Sequence, residues 1–142
     1  MKIILDTNFL VYCSKNKIDY REDIGNLINE GFELVVPEQV VEELKKISQK
    51  PKEKHSGFLK KRNPRFRKTT ARDRDAANLA LQLLDFNKIK IVKTTGRNVD
   101  DAIINLAEKD KKNIVCTLDR EMRHILGRVI LINKFKRLML TK

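Results

Sequence analysis

The sequence predicts an α/β fold of three layers, with helices on both faces of a central, mostly parallel five-stranded sheet. Three observations carry this. Short apolar, β-branched runs alternate with longer helical patterns along the chain, and strands spaced that way need crossover helices rather than hairpins. The 142 residues suit one domain, since a chain of about this size buries roughly two-thirds of its unfolded surface without a staple. Apolar residues make up 41% and charged residues 35%, enough for a core and a solvated surface, and no run approaches the ~20 apolar residues of a membrane span.

The elements follow in order. A first strand over 2–5 (Lys-Ile-Ile-Leu) stops at Asp6, and a helix is expected over 22–30. The run Leu-Val-Val at 34–36 is the second strand, and Pro37 opens a helix over 38–48. Over 74–86, Ala76, Ala77, Leu79, Ala80, Leu81, Leu83, Leu84 and Phe86 point almost all round, so that helix should be well buried. Then come a strand over 89–93, a helix over 99–110, a strand over 114–117, a helix over 120–126 and a strand over 129–132. A last helix is the candidate for 134–140, and no internal repeat occurs.

Two cysteines, Cys13 and Cys116, exclude a disulfide scaffold and a four-cysteine zinc site. The opening residues turn acidic at Asp6, too soon for a signal peptide. The expectation is a cytoplasmic protein with two free thiols and no membrane partner. His55 and His124 lack metal-ligand spacing.

Charge is concentrated. Of 31 Lys and Arg, 13 lie between residues 45 and 74, against two of the 19 acids, Glu53 and Asp73. That segment carries +11 of the formal +12. It reads as a basic insertion at about 48–70 in one domain spanning 1–142, poorly ordered because Pro51 to Pro64 holds few apolar residues. So concentrated a charge is an electrostatic site for a polyanion, most often nucleic acid. Lys60, Lys61, Arg62, Arg65, Arg67 and Lys68 are its candidate nucleic-acid contacts, and Phe58 and Phe66 could stack on unpaired bases.

Acids gather where strands end. Asp6 follows the first strand, Asp119 follows the fourth, Glu42 and Glu43 sit on the helix after the second, and Asp100 and Asp101 open the helix before the fourth. Ligands of open parallel sheets bind at the carboxyl ends of the strands. On the 38–48 helix, Val40, Leu44 and Ile47 form one stripe; Glu43 lies about 80° from its centre and Glu42 roughly opposite. Glu43 can therefore line a cleft, while Glu42 is solvated. The same geometry leans to Asp100 over Asp101. Each acid alone could be a turn residue, a helix cap or a charged face. Together they repel and call for a cation, and oxygen-only ligation suits Mg²⁺ or Mn²⁺.

Four segments in order resemble the PIN-domain nucleases over essentially the whole chain: Leu5-Asp6-Thr7-Asn8-Phe9, Pro37 to Leu44, Val99-Asp100-Asp101-Ala102-Ile103, and Val115 to Glu121. The resemblance implies a PIN-like fold and puts the family's acids on Asp6, Glu43, Asp101 and Asp119. It prefers Asp101 where periodicity prefers Asp100, so Asp101 ranks first among the candidate ligands and Asp100 stays beside it, with Glu121 an auxiliary acid. Thr7 and Asn8 match the polar pair beside the first aspartate. Gly96 with Asp100-Asp101, Thr117-Leu118-Asp119-Arg120 and Pro64-Arg65-Phe66 look most like the subgroup that processes ribosomal RNA in the small-subunit precursor. Toxin members of toxin–antitoxin pairs are similar, and the zinc-ribbon members are excluded by the missing cysteines.

The function expected is a metal-dependent endoribonuclease acting in ribosomal RNA processing, with ribosomal RNA precursor as partner and a second copy or ribosome-assembly proteins alongside. The alternatives are a toxin-type ribonuclease and a non-catalytic RNA-binding assembly factor. A dehalogenase-type phosphatase would want an acid where Asn8 stands, and a receiver-like phosphoacceptor would leave the basic arm unexplained.

Overall fold

The computed structural model describes residues 1–49 and 70–141. Six strands form one sheet in the order β3-β2-β1-β4-β5-β6, where β1 is Lys2–Leu5, β2 Glu33–Pro37, β3 Lys90–Val92, β4 Ile114–Cys116, β5 Val129–Ile132 and β6 Leu138–Leu140. All neighbours are parallel except β5 and β6. The described helices are α1 Thr7–Lys15, α2 Tyr20–Leu27, α3 Glu38–Gln49, α4 Ala71–Phe86, α5 Val99–Ala107 and α6 Arg120–Leu126. Helices α1, α3 and α4 pack on one another, and α5 packs on α6. Right-handed crossovers, the rule for parallel strands, would set the first group on one face and the second on the other. The core runs along the central strands, where Ile3, Ile4, Leu5, Val35, Val36, Val115 and Cys116 are buried.

The three layers and the mostly parallel sheet are as expected, with three corrections. The 134–140 stretch is not a helix but the return of a hairpin that adds a sixth strand. Asn133 Oδ1 accepts from the backbone N–H groups of Phe135 and Arg137, and Lys136 takes a positive φ of 59°, so the chain turns back on β5. Helix α1 has no counterpart in the expectation. Its apolar and aromatic residues, Phe9, Leu10, Val11 and Tyr12, do not alternate cleanly enough to separate helix from strand. Helix α4 is not buried all round: Ala76, Ala77, Ala80 and Leu84 face inward, whereas Leu79 is half-exposed and Phe86 is 81% exposed.

The strand order sets the crevice. Strands β1 and β4 are adjacent and parallel, with Leu5 beside Cys116, yet β1 leads outward to β2 and β4 to β5. The chain therefore leaves this pair in opposite directions, which opens a cleft at their carboxyl ends. No described helix is long and apolar enough to cross a membrane.

Candidate active site

Asp6 is the first residue past β1, where its N–H extends the ladder to Cys116 O at 3.1 Å. It is also the N-cap of α1: Oδ1 accepts from Thr7 N at 2.7 Å. The other oxygen, Oδ2, accepts from the Thr117 hydroxyl at 2.6 Å. The side chain is 3% exposed. Burial pushes its pKa up to about 7; the bonds from Thr117 and Thr7 oppose the rise, and the charges of Asp100 and Glu43 add to it.

Asp119 holds the matching position after β4. Its Oδ1 accepts from Glu121 N at 2.9 Å and Met122 N at 3.4 Å, which caps α6. Its own N–H donates to Thr117 Oγ1 at 3.1 Å. One hydroxyl thus joins the residues after the two central strands, accepting from the backbone of Asp119 and donating to the carboxylate of Asp6. Thr117 was quoted in a motif but given no role from sequence; its signal was a hydroxyl at the carboxyl end of a buried strand, two residues before an acid.

Helix α5 is brought in by a close approach. A Cβ on Gly96 would lie 2.5 Å from Ala102 N and 2.8 Å from its Cα, so only glycine lets this loop rest on the helix. Asn98 caps it, accepting from Asp101 N at 2.8 Å. Of the two acids in its first turn, Asp100 shares the field of Asp6. Its pKa is raised by partial burial and by the charges of Asp119, Asp101 and Glu121. Asp101 is half-buried beside it, and Glu121 is exposed in the first turn of α6. On α3, Glu43 is half-buried and lines a hollow with Thr7, Asn8 and Lys15, while Glu42 faces solvent.

The structure therefore gathers Asp6, Glu43, Asp100 with Asp101, Asp119 and Glu121 around one cleft. Neither ion pair among the described residues, Lys15–Asp73 or Lys90–Glu33, involves them. The donors are all oxygen, which suits a hard dication, and the Thr7 hydroxyl is buried with no partner among the described residues. No three of the described acids, histidines or cysteines converge tightly enough to hold an ion. Cys13 and Cys116 are buried packing groups; burial pushes the Cys13 thiol up to about 12 and Cys116 well above its ordinary range. The six proposed RNA contacts (Lys60, Lys61, Arg62, Arg65, Arg67 and Lys68), Phe58, Phe66, His55 and most of the basic insertion lie outside the described residues.

The family model described as a PIN like domain matches residues 59–133, a stretch that holds Asp100, Asp101, Thr117 and Asp119. Ribonuclease VapC4 of Methanocaldococcus jannaschii is 33% identical over 125 residues, covering 88% of this chain and 82% of the relative. The structure of the PIN domain endonuclease Utp24 matches 99% of this chain and 93% of its own, with a TM-score of 0.67 at 18% identity. VapBC2 from Rickettsia felis, solved bound to a DNA fragment from its promoter, matches 94% of this chain and 98% of its own at a TM-score of 0.55 and 15% identity. At such identities the two structures speak to the fold, while the family match and the 33% relative speak to descent: this chain belongs to the PIN-domain family.

Proposed function

We propose that the protein is an endoribonuclease that uses Mg²⁺ or Mn²⁺ to hydrolyse RNA phosphodiester bonds. One observation carries this: Asp6, buried and with no cationic partner among the described residues, is tied through Thr117 to Asp119, which caps α6, and the charges of Glu43 and Asp100 press on it. A carboxylate with a purely structural duty would gain nothing from such neighbours. The name of the 33% relative, Ribonuclease VapC4, supports the same activity.

In this reading Asp6 and Asp119 would hold the metal once the ion draws them together, Glu43 and Asp100 would complete its shell or orient water, and Asp101 and Glu121 would stand behind them. When bound, a dication supplies an activated water and offsets charge on the attacking and leaving oxygens. Thr117 and the N–H of Thr7 fix the Asp6 carboxylate; Thr7 Oγ1 and Asn8 stand beside it. Lys and Arg of the basic segment would hold the RNA backbone, which positions without specifying sequence.

The cellular substrate has two readings. Ribosomal RNA precursor follows from the motif resemblance; toxin-type cleavage, with an antitoxin as partner, draws on the VapC4 relative and has comparable support. Both place the protein in the cytoplasm. Induced expression separates them: a toxin arrests growth within a generation, whereas depletion of a processing enzyme leaves uncut precursor.

The activity is tested with Asp6→Asn. Removing one carboxylate subtracts a metal ligand and no phosphate contact, so cleavage with Mn²⁺ should fall at least a thousandfold while RNA affinity holds. Cleavage at the wild-type rate would refute the site. Asp100→Asn and Asp101→Asn then rank the two neighbours, and the larger loss is expected at Asp100.

A further inference from the structure

We propose that Gln39 is a positioning residue of the acid cleft: its side-chain amide ties the start of α3 to the loop before α5, and so sets how far Glu43 on one helix stands from Asp100 and Asp101 on the other. This deepens the nuclease reading and rests on it. Gln39 is the second residue of α3, directly beyond β2. There Pro37 pairs with Val92, so the chain leaves β3 beside it and runs on into α5. Gln39 Nε2 donates to Thr94 O at 2.6 Å, across 55 residues of sequence. The other hydrogen bonds of residues 94–98 run to α5 itself. Thr94 Oγ1 donates to Ala102 O at 3.4 Å, Asn105 Nδ2 donates to Thr95 O at 2.7 Å, and Asn98 accepts from Asp101 N and Ala102 N. Loop and first turn therefore form one unit, with Gly96 pressed on Ala102. Among the described residues, Gln39 makes the one hydrogen bond that joins this unit to another element.

The amide is held in one sense. A carbonyl oxygen only accepts, so Nε2 must face Thr94 and Oε1 must face away. Oε1 is buried and has no partner among the described residues. A buried acceptor left unpaired costs at least as much as one neutral hydrogen bond contributes. Gln39 therefore adds no net stability, and an apolar side chain of the same length would serve the fold as well. Such a side chain would not fix the place of the loop. Glu43 follows Gln39 by one turn, on the same face of α3, and α3 touches α5. The charges of Glu43 and Asp100 both reach Asp6, so the two helices bring their acids to one carboxylate from different sides. The described acids do not converge tightly enough to hold an ion by themselves. The gap that a dication must close between α3 and α5 is thus set by where α5 is seated, and Gln39 bridges that gap.

The test uses the full chain with Gln39→Met, and Gln39→Leu as a second variant; both remove the donor and the orphaned acceptor together. Mn²⁺ alone is the probe, its binding followed by the electron-spin signal of the free ion. Each variant should bind Mn²⁺ about tenfold more weakly than wild type, the scale for a residue that orients a metal ligand, while its melting midpoint in chelator stays within about 2 °C. Without metal, the amides of Asp101 and Ala102 should exchange their hydrogens about tenfold faster, and those of β1 at the wild-type rate. In an Asp100→Asn/Asp101→Asn background, Gln39→Met should change Mn²⁺ affinity less than about twofold, because the acids through which it acts are gone. A lower midpoint with unchanged Mn²⁺ affinity per folded molecule, an equal loss of affinity in that background, or unchanged amide exchange overturns the proposal. Cleavage of RNA separates the two readings. A wild type that cuts, with Gln39→Met equal to it in Mn²⁺ affinity and exchange, keeps the nuclease and removes Gln39. A wild type that binds Mn²⁺ without cutting removes the nuclease and leaves the seating of α5 to stand on affinity and exchange, and one that binds no Mn²⁺ overturns both.

Discussion

Asp6 carries an electrostatic cost that the fold reveals only without metal. Its pKa rises from the ordinary 3.8 to about 7 because burial penalises the charge. The folded state thus binds the proton more readily than the unfolded one. Its contribution is fully present below 3.8 and is lost as pH rises through about 7. Asp100 shifts in the same direction, while Asp73, lowered by its ties to Lys15 and Thr70 despite some burial, acts oppositely at lower pH. Thermal melts in chelator should therefore show the wild type more stable at pH 5 than at pH 8, by a few kcal/mol at most. Asp6→Asn should flatten that slope, and an equal slope in both proteins would mean that Asp6 is not the group responsible. Asp119→Asn makes a second case. Asparagine caps a helix as well as aspartate, so in chelator the variant should melt at or above wild type. Mn²⁺ at ten times its dissociation constant stabilises by about 1.4 kcal/mol, roughly 4 °C here, and should barely move the variant.

At the scale of elements, α1, α5 and α6 all begin at the same cleft, capped by Asp6, Asn98 and Asp119. Their positive ends offset part of the repulsion among the acids, which is one reason an assembly of carboxylates folds at all. Helix α5 stays seated through Gly96. Gly96→Ala forces a Cβ against backbone that cannot swing away, so it should cost about 2 kcal/mol, seen as a midpoint lower by roughly 6 °C. Because it shifts Asp100, cleavage should drop at least tenfold more than the fraction unfolded explains; full activity in the folded fraction would free Asp100 from any role. Strand ends and caps were legible in the sequence, since β-branched runs stop at polar residues and Asp6 and Asp119 stand at those stops. Helix α1 was not, because its apolar residues mix aromatic and β-branched types over nine positions. Strand β6 was missed because its sequence, Leu-Met-Leu, has no local signature, and the turn at Asn133 decides its path. Thr117 escaped because its bond to Asp6 spans 111 residues, and no local pattern records such a pairing.

For the molecule as a whole, charge is divided. The acids occupy the cleft at the β1–β4 ends, whereas +11 of the net +12 belongs to residues 45–74. That segment joins α3, which carries Glu43, to α4. Binding and cutting are then separable. Neutralising four of Lys60, Lys61, Arg62, Arg65, Arg67 and Lys68 should lower the slope of log affinity against log salt by about 3, at roughly 0.7 per single-strand contact. The rate of cleavage at saturating RNA should stay near wild type. An unchanged salt slope would show that the segment does not meet phosphate. Net charge and its position were readable from the sequence; the strand order that places β1 beside β4, and so Asp6 near Asp119, was not.

Asp6 and Asp119 each do two jobs, starting a helix and presenting a carboxylate. Asparagine performs the first job and not the second. Any aspartate codon becomes an asparagine codon by a single G-to-A transition, so, on the proposed assignment of these two carboxylates, one nucleotide change silences the chemistry and leaves the scaffold standing. On that assignment, a lineage built on these two caps can lose catalysis without losing its fold, and can regain it by reversing the same step.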